Sequence, residues 1–359
     1  MTEKKATIYD IAAATGVSVA TVHRALNDKT RIHPETKERI LETAKQLGYK
    51  VNVAAQGLRR LPIRIGAVLF CPVEEYVDAI VDGIAAAGGE LEKYNVSVDI
   101  HKLPYTTTEE CLKQSCTLIR ELTEAGCQGI ILFMSATTGE MQELMEIANE
   151  LSERRVCFAT VANDLPDLHH DVHVGVDAHM AGRMAAELLG MRCQGKEVAL
   201  LVASRHSPVN TEYIKGFDSY AKNNFFSAVH VYEHLDDAQR VAEATQRMLS
   251  DHPDLAGVYM TTASSALACR TIRDAGKNLT VVTTDVLRET PAFLGSGVAN
   301  AAIFQNPYRQ GKNVVRHLYN HMTAHTDDGV HLICPQIVLS SNIEAYLSPT
   351  DDSVRNEGY

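Results

Sequence analysis

The chain carries two patterns of hydrophobic and polar positions, and one gives way to the other near residue 62. Before that point the apolar residues recur at helical spacing. Residues 10–14 form an alanine-rich helical run, and Gly16 supplies a sharp turn because it has no Cβ to clash. Ser18 is placed to cap a second helix. Val22 and Leu26 then fall on one face, toward Ile11 and Ala12, while Val19, Ala20, His23 and Arg24 occupy the other. After a polar loop at 27–32, Pro34 opens a third, amphipathic helix with Ile40, Leu41, Ala44 and Leu47 facing inward and Gly48 ending it. One packed face and one free face is how a helix-turn-helix reader of the DNA major groove is built. Residues 50–61 form a linker of mild helical character, too short and polar to be stable alone, closed by Pro62.

From residue 63 apolar runs alternate with amphipathic ones. Strands are expected at 64–72, 96–103, 128–135 and 155–164, with helices at 77–91, 108–125 and 138–151 between them. The pattern then restarts. Strands are expected at 172–177, 197–203, 228–235, 257–262 and 279–285, alternating with helices at 180–189, 211–223, 238–250 and 264–275. Regular alternation of this kind specifies an α/β fold of doubly wound parallel sheets. Two such sheets in succession mean two subdomains with a cleft between them, and ligands bind beyond the carboxyl ends of the strands.

Charge divides the chain at the same place. The net charge is −11 overall, but residues 1–60 carry +5 and the remainder −16. A basic head on an acidic body fits nucleic acid at one end only. The 359 residues, 45% hydrophobic, allow two or three globular domains. The eight cysteines form no C-x-x-C pair and read as reduced, buried thiols of a cytoplasmic protein. The N-terminus lacks the apolar segment of a secretory signal, and no apolar run approaches the roughly 18 residues that cross a membrane. No nucleophile elbow, P-loop or dinucleotide glycine pattern appears, so neither an enzyme nor a cofactor is expected. The histidines of 169–179 lack a ligand spacing, so no metal is expected there.

The motif TIYDIA…GVS..TV at 7–22 resembles the N-terminal signature of the lac-repressor (LacI/GalR) family of bacterial regulators. The body resembles that family's periplasmic-binding-protein-like core, nearest the ribose-binding branch. The residues that carry the likeness are VHVGVDAHMAGRMAAELL at 172–189, GF at 216–217, VVTTD at 281–285 and QNPYRQG at 305–311. The resemblance implies a homodimeric transcriptional regulator, foremost a repressor, on a palindromic operator in double-stranded DNA. A small sugar or polyol effector would set its affinity, in the bacterial cytoplasm and at the nucleoid when bound. An activator or a regulator gated by a partner protein is the alternative, and a sugar-binding protein without a DNA role stands behind both. The expected organisation is a DNA-binding domain at 1–49, a hinge at 50–62, an effector-binding and dimerisation core at 63–349 and a flexible tail at 350–359. Within the core the first subdomain takes about 63–176 and 306–330, the second about 177–305 and 331–349.

By the same resemblance Val19, Ala20 and Arg24 occupy base-reading positions. Of these only Arg24 can bond a guanine edge bidentately. Thr7, Ser18, Thr21, Asn27 and Arg31 match phosphate-contacting positions, and Tyr49, Asn52, Ala55 and Leu58 match the hinge, with Leu58 the minor-groove wedge. Val51 stands where the family usually has proline, and Gly57 lowers helix propensity further, so hinge folding relies on DNA. His23, unusual at its position, would touch phosphate or remain a solvated surface histidine. In the cleft the candidates are Tyr76, Met134, Ser135, Asn163 and Asp164 from the first half and Tyr213, Thr261, Asp285 and Gln305 from the second. Asp285 and Gln305 match hydroxyl-binding positions, and Tyr76 an aromatic that packs on the ligand ring. Tyr213 replaces an arginine of sugar-binding relatives, which removes a strong anchor for hydroxyl or phosphate groups.

Overall fold

The computed structural model describes residues 7–26, 32–47, 61–134, 141–165, 167–221, 226–324 and 326–347. It divides into two units, Met1–Leu61 and Pro62–Tyr359. In the first, α1 (Ile8–Thr15) begins with a capping box: the Asp10 amide donates to the Thr7 side chain, and the Thr7 amide donates to the Asp10 carboxylate at 2.7 Å. Gly16 ends it in the left-handed region at φ 68°, the conformation its missing Cβ permits. In α2 (Val19–Leu26) the Thr21 amide donates to Ser18 Oγ at 3.2 Å, the expected cap. Pro34 opens α3 (Pro34–Gln46).

Ile11, Val22, Ala25, Ile40 and Ala44 form the core of this unit. Leu41 and Leu47, expected inward, are 44% and 41% exposed. Two partner helices of eight residues cover only the narrow stripe through Ile40 and Ala44, and Leu41 lies a sixth of a turn or more outside it. The side chain of Leu26, Gly48, the linker at 50–60 and the tail at 350–359 lie outside the described residues.

The second unit holds two six-stranded sheets. The first contains β1 (Ile63–Phe70), β2 (Val96–Lys102), β3 (Gly129–Met134), β4 (Cys157–Val161), β5 (Val172–Val176) and a late strand, Gly329–Ile333. Every pairing in it is parallel, in the order late strand, β5, β4, β3, β1, β2, with β4 and β3 at its centre. Its helices are α4 (Glu74–Leu91), α5 (Thr108–Glu124) and α6 (Gln142–Glu153), joined by a helix from near the C-terminus. The second sheet contains β6 (Glu197–Val202), β7 (Ala228–Glu233), β8 (Gly257–Met260), β9 (Thr280–Thr284) and β10 (Ala301–Phe304), all parallel. Around it lie α7 (Ala178–Cys193), α8 (Pro208–Ala221), α9 (Ala238–Asp251), α10 (Ser265–Asp274) and α11 (Thr290–Ser296). The chain then recrosses through α12 (Pro307–Ala324) to β11 (Gly329–Ile333) and returns as the antiparallel edge strand β12 (Gln336–Val338). Because β11 pairs with β5, the first sheet runs to Ile333, past the boundary of about 330.

Buried parallel strands read as unbroken apolar runs, as GIILFM of β3 does. The strand expected at 155–164 is clipped to Cys157–Val161 because Arg155 and Ala162 flank it at φ 57° and 65°, which ends extended backbone on both sides. Helix packing in both subdomains uses the same device. A Cβ on Gly83 would lie 2.0 Å from the Tyr308 carbonyl oxygen, and one on Gly311 2.1 Å from that of Ile80, so α4 and α12 meet backbone to backbone. Gly182 and Gly216 join α7 and α8 in the same way, 2.1 Å from the Tyr213 oxygen and 1.9 Å from that of His179.

Candidate functional site

The carboxyl ends of the two sheets enclose a cavity of about 70 Å³. Strand endings position its walls. Cys71 follows β1, Phe133 is the last residue but one of β3, Asn163 follows β4, and Tyr76 projects from the first turn of α4. From the second subdomain come Asn210 and Tyr213 on α8, Asp236 after β7, Thr261 and Thr262 after β8, and Gln305 after β10. Ala162, Leu235, Asp236, Asp285 and Asn306 all sit at positive φ just beyond strand ends on this side. Left-handed non-glycine residues cost about 1 kcal/mol or more each, and their concentration here is the usual mark of a site that bends backbone to aim its side chains.

The polar groups are already joined to one another. The Tyr213 hydroxyl donates to Gln305 Oε1 at 2.9 Å, and Gln305 Nε2 donates to Asp285 Oδ2 at 2.7 Å. The Gln305 amide donates to Asp285 Oδ1 at 2.9 Å. Gln310, on α12, donates to the Gln305 carbonyl at 2.9 Å and reaches the Tyr76 hydroxyl at 3.5 Å. Its Oε1 is buried without a partner. Thr261 donates to Asn210 Oδ1 at 2.8 Å. The Tyr76 ring packs on Phe133 at 5.7 Å between centroids. Between subdomains, the Arg288 amide donates to Glu75 Oε2 at 2.7 Å.

Burial sets the charge of this cavity. It pushes Asp285, which is fully inaccessible, up to about 7 against the pull of its Gln305 bonds, and Asp236 up to about 6. Burial also holds the Tyr76 and Tyr213 hydroxyls protonated, well above the usual tyrosine range. No lysine or arginine lines the cavity among the described residues. The arrangement therefore offers hydroxyl and amide partners around an aromatic platform and no counter-charge for an anion.

Five of the candidates meet here: Tyr76, Asn163, Tyr213, Thr261 and Gln305. Asp285 stands directly behind Gln305, so a ligand reaches it only when Gln305 turns away. Met134 is a correction. Strand side chains alternate, so Phe133 faces the cleft, and Met134 packs into the core with Val68 and Phe70. The Met134 carbonyl accepts from Asn163 Nδ2 at 2.7 Å. Asp164 is a second correction, because it turns to His170 Nε2 at 3.5 Å instead of lining the cavity. Ser135 lies outside the described residues. Phe133, Asn210 and Asp236 were not singled out by the sequence reading. The rule of strand endings marks Asp236 after the strand expected to stop at 235, and Asn210 one residue before the helix expected at 211.

Of the histidines at 169–179, His173 is the one buried in the core, and His169 is exposed. His173 is buried with Nδ1 2.9 Å from Thr160 Oγ1, and burial lowers it to about 4.

In the first unit Ser18, Ala20 and Arg24 are exposed, and Val19 and Thr21 are half-buried. The Ser18 and Thr21 hydroxyls lie 2.9 Å apart, and the Thr7 hydroxyl is bound to the Asp10 carboxylate at 2.6 Å. Tyr9, which the sequence reading passed over, stands 70% exposed at the start of α1. Asn27, Arg31, Tyr49, Asn52, Ala55 and Leu58, and the side chain of His23, lie outside the described residues.

Residues 65–326 match the periplasmic binding protein domain, and residues 7–52 match the bacterial regulatory proteins of the lacI family. The chain is 27% identical over 239 residues to the HTH-type transcriptional regulator pepR1 of Lactobacillus delbrueckii subsp. lactis, covering 66% of this chain and 67% of that one. It is 25% identical over 213 residues to catabolite control protein A of Priestia megaterium, covering 59% of each. The matched segments thus span 59–67% of the lengths of these two regulators. The glucose-galactose binding protein GanP of Geobacillus stearothermophilus shares the fold of the core. Its TM-score is 0.68 at 20% identity, over 79% of this chain and 99% of that one.

Proposed function

The chain belongs to the lacI-type bacterial regulators built on a periplasmic-binding-protein core, and from that premise we propose that it is an operator-binding repressor gated by a neutral, hydroxyl-bearing effector. The observation that carries the reading is the buried chain Tyr213–Gln305–Asp285 in the cleft of a protein whose N-terminal unit presents Ala20 and Arg24 on a free helix face. Arg24 supplies base discrimination, Val19 and Ala20 apolar contact, and Thr7, Ser18 and Thr21 phosphate contacts that set register. A +5 head and −16 body orient the approach to DNA. A homodimer on a two-fold operator, with Asn27, Arg31 and the hinge residues Tyr49, Asn52, Ala55 and Leu58 completing the interface, is the form in which the reader works. Its place is the cytoplasm, and no helix among the described residues is long and apolar enough to cross a membrane.

The effector works by preferring one of two cleft states. Tyr213, Gln305 and Asp285 bond one another, so a ligand enters by exchanging these bonds for its own hydroxyls. Relatives such as the glucose-galactose binding protein GanP support a sugar or polyol. With no lysine or arginine among the described lining residues, a free sugar is favoured over its phosphate. A gel-shift titration against the DNA upstream of its own gene, with neutral sugars, polyols and sugar phosphates added, tests this. Retarded DNA whose retention shifts with a neutral sugar supports the reading. Absence of retardation with and without every ligand sinks it.

A further inference from the structure

Away from the cleft, on the second subdomain, three donors converge on one point. Glu197 opens β6, and His230 lies on β7 opposite Ala199, so Glu197 and His230 share a face of the sheet as diagonal neighbours. His252 follows the end of α9 and is fixed by its amide, which donates to the Met248 carbonyl at 3.2 Å. His230 Nε2 stands 3.1 Å and His252 Nδ1 3.0 Å from the same oxygen, Glu197 Oε2. The two imidazoles stack with centroids 3.6 Å apart and planes 22° apart.

We propose that Glu197, His230 and His252 form a three-donor site for a divalent ion of the zinc class, with the fourth position open to solvent. A tetrahedral ion with bonds of about 2.0–2.1 Å needs neighbouring donors roughly 3.3 Å apart. The observed 3.0 and 3.1 Å are within a small side-chain movement of that spacing. Without an ion, both stacked rings must turn an N–H to one oxygen. With an ion, both present lone pairs as neutral rings, the form in which imidazole binds metal. All three residues are half-buried, which leaves the ion a path in and an open coordination position. The site ties together two strands and the end of a helix, so an occupied site stabilises this subdomain by mass action.

A second group, Cys157, Asp171 and His321, also brings its donor atoms within 4.8 Å of one another, on the first subdomain. It is the weaker candidate. Asp171 Oδ2 already accepts from the Phe158 amide at 2.8 Å, and burial pushes the Cys157 thiol up to about 11, against the thiolate a metal requires. It serves as the internal control.

The test uses the full chain without an affinity tag, stripped by chelator and titrated with Zn²⁺ against a competing dye, and with Co²⁺ by absorption. We expect one equivalent of zinc and a cobalt spectrum with visible bands but no near-ultraviolet thiolate charge transfer. Glu197→Gln and the double variant His230→Gln/His252→Gln should each weaken binding by about tenfold or more. Cys157→Ser should leave it unchanged. Melting of each metal-free variant near the wild-type temperature shows that the loss is not misfolding. Absence of binding overturns the proposal, as does binding insensitive to the Glu197 and histidine variants, or a charge-transfer band removed by Cys157→Ser.

Discussion

The two walls of the cleft are made of different material. The first subdomain contributes a largely apolar platform, with Tyr76 against Phe133 flanked by Cys71 and Val73, and a single amide, Asn163. The second contributes mainly hydrogen-bonding groups, Asn210, Tyr213, Asp236, Thr261, Thr262 and Gln305, beside the apolar Val209 and Ala263. Behind the walls the subdomains are alike, each a sheet with a parallel core of five strands or more and one pair of helices in backbone contact through reciprocal glycines. The scaffold is thus repeated and the chemistry is not. Apolar contact gives affinity with little discrimination, whereas buried polar groups reject whatever leaves them unpaired. The second wall selects the ligand, and the first holds it.

The likeness of the scaffolds carries the largest expected effect. Gly83→Val and Gly216→Val each drive a side chain into a facing carbonyl, which a rotamer change cannot relieve. Each should cost about 3 kcal/mol or more in urea denaturation, and the two losses should be similar. Gly89→Ala, on α4 with nothing within 4 Å of its Cβ position, should instead stabilise by about 0.5–1 kcal/mol. A large loss in only one of the two valine variants breaks the equivalence.

The difference between the walls is tested next. Gln305→Ala cuts Tyr213 from Asp285 and leaves a buried carboxyl short of a partner. It should lower effector affinity by about 2 kcal/mol, roughly thirtyfold, and erase discrimination among sugars. Phe133→Leu should weaken all ligands alike, by under about tenfold. Calorimetric titration of both variants with a sugar series decides, and a specificity change confined to Phe133→Leu would invert the assignment of roles.

A smaller effect comes from the protonation of Asp285. In the folded chain it keeps its proton up to about pH 7, whereas its ordinary value is 3.8. Between these values the folded state binds more protons than the unfolded, so this contribution is full below about pH 4 and is lost as pH rises through about 7. Burial lowers His173 and His234 to about 4, which acts in the opposite direction on the acidic side. Both histidines remain in Asp285→Asn, so they cancel in a comparison. The melting temperature of the wild type minus that of Asp285→Asn should fall from pH 4.5 to 7 and level off above. A flat difference means that Asp285 titrates normally.

Much of the scaffold was legible because burial on both faces leaves an unbroken apolar run, as in β1 and β3. The strands β10, β11 and β12 and helices α11 and α12 were not read as elements; β11 is a mostly exposed edge strand with no buried apolar run to mark it. Strands of three or four residues are too short to show a period, and α12 buries Gln310 and Lys312 beside Val314 and Val315. At the site, residue types beyond strand ends were legible, but the parity of Phe133 and Met134 was not, since both are apolar and lie where the strand stops. The bond between Tyr213 and Gln305 spans 92 residues and follows from the closure of two sheets, which no local pattern records.

The smallest effect lies where the two walls touch outside the cavity. Glu75 accepts the Arg288 amide at 2.7 Å, but its side chain is 40% exposed, and the Arg288 guanidinium is 3.8 Å away and 84% exposed. Water replaces most of what such a contact supplies, so Glu75→Ala should change global stability by less than about 1 kcal/mol. Its effect belongs to the arrangement in which the two subdomains meet, because the bond joins a residue of one to a residue of the other. Effector affinity should therefore fall by a few-fold at most, with the loss in the dissociation rate and the ranking of sugars unchanged. Stopped-flow release measured beside Gln305→Ala separates the two roles. If Glu75→Ala altered the ranking, selection would extend to the rim and the division of labour between the walls would have to be redrawn.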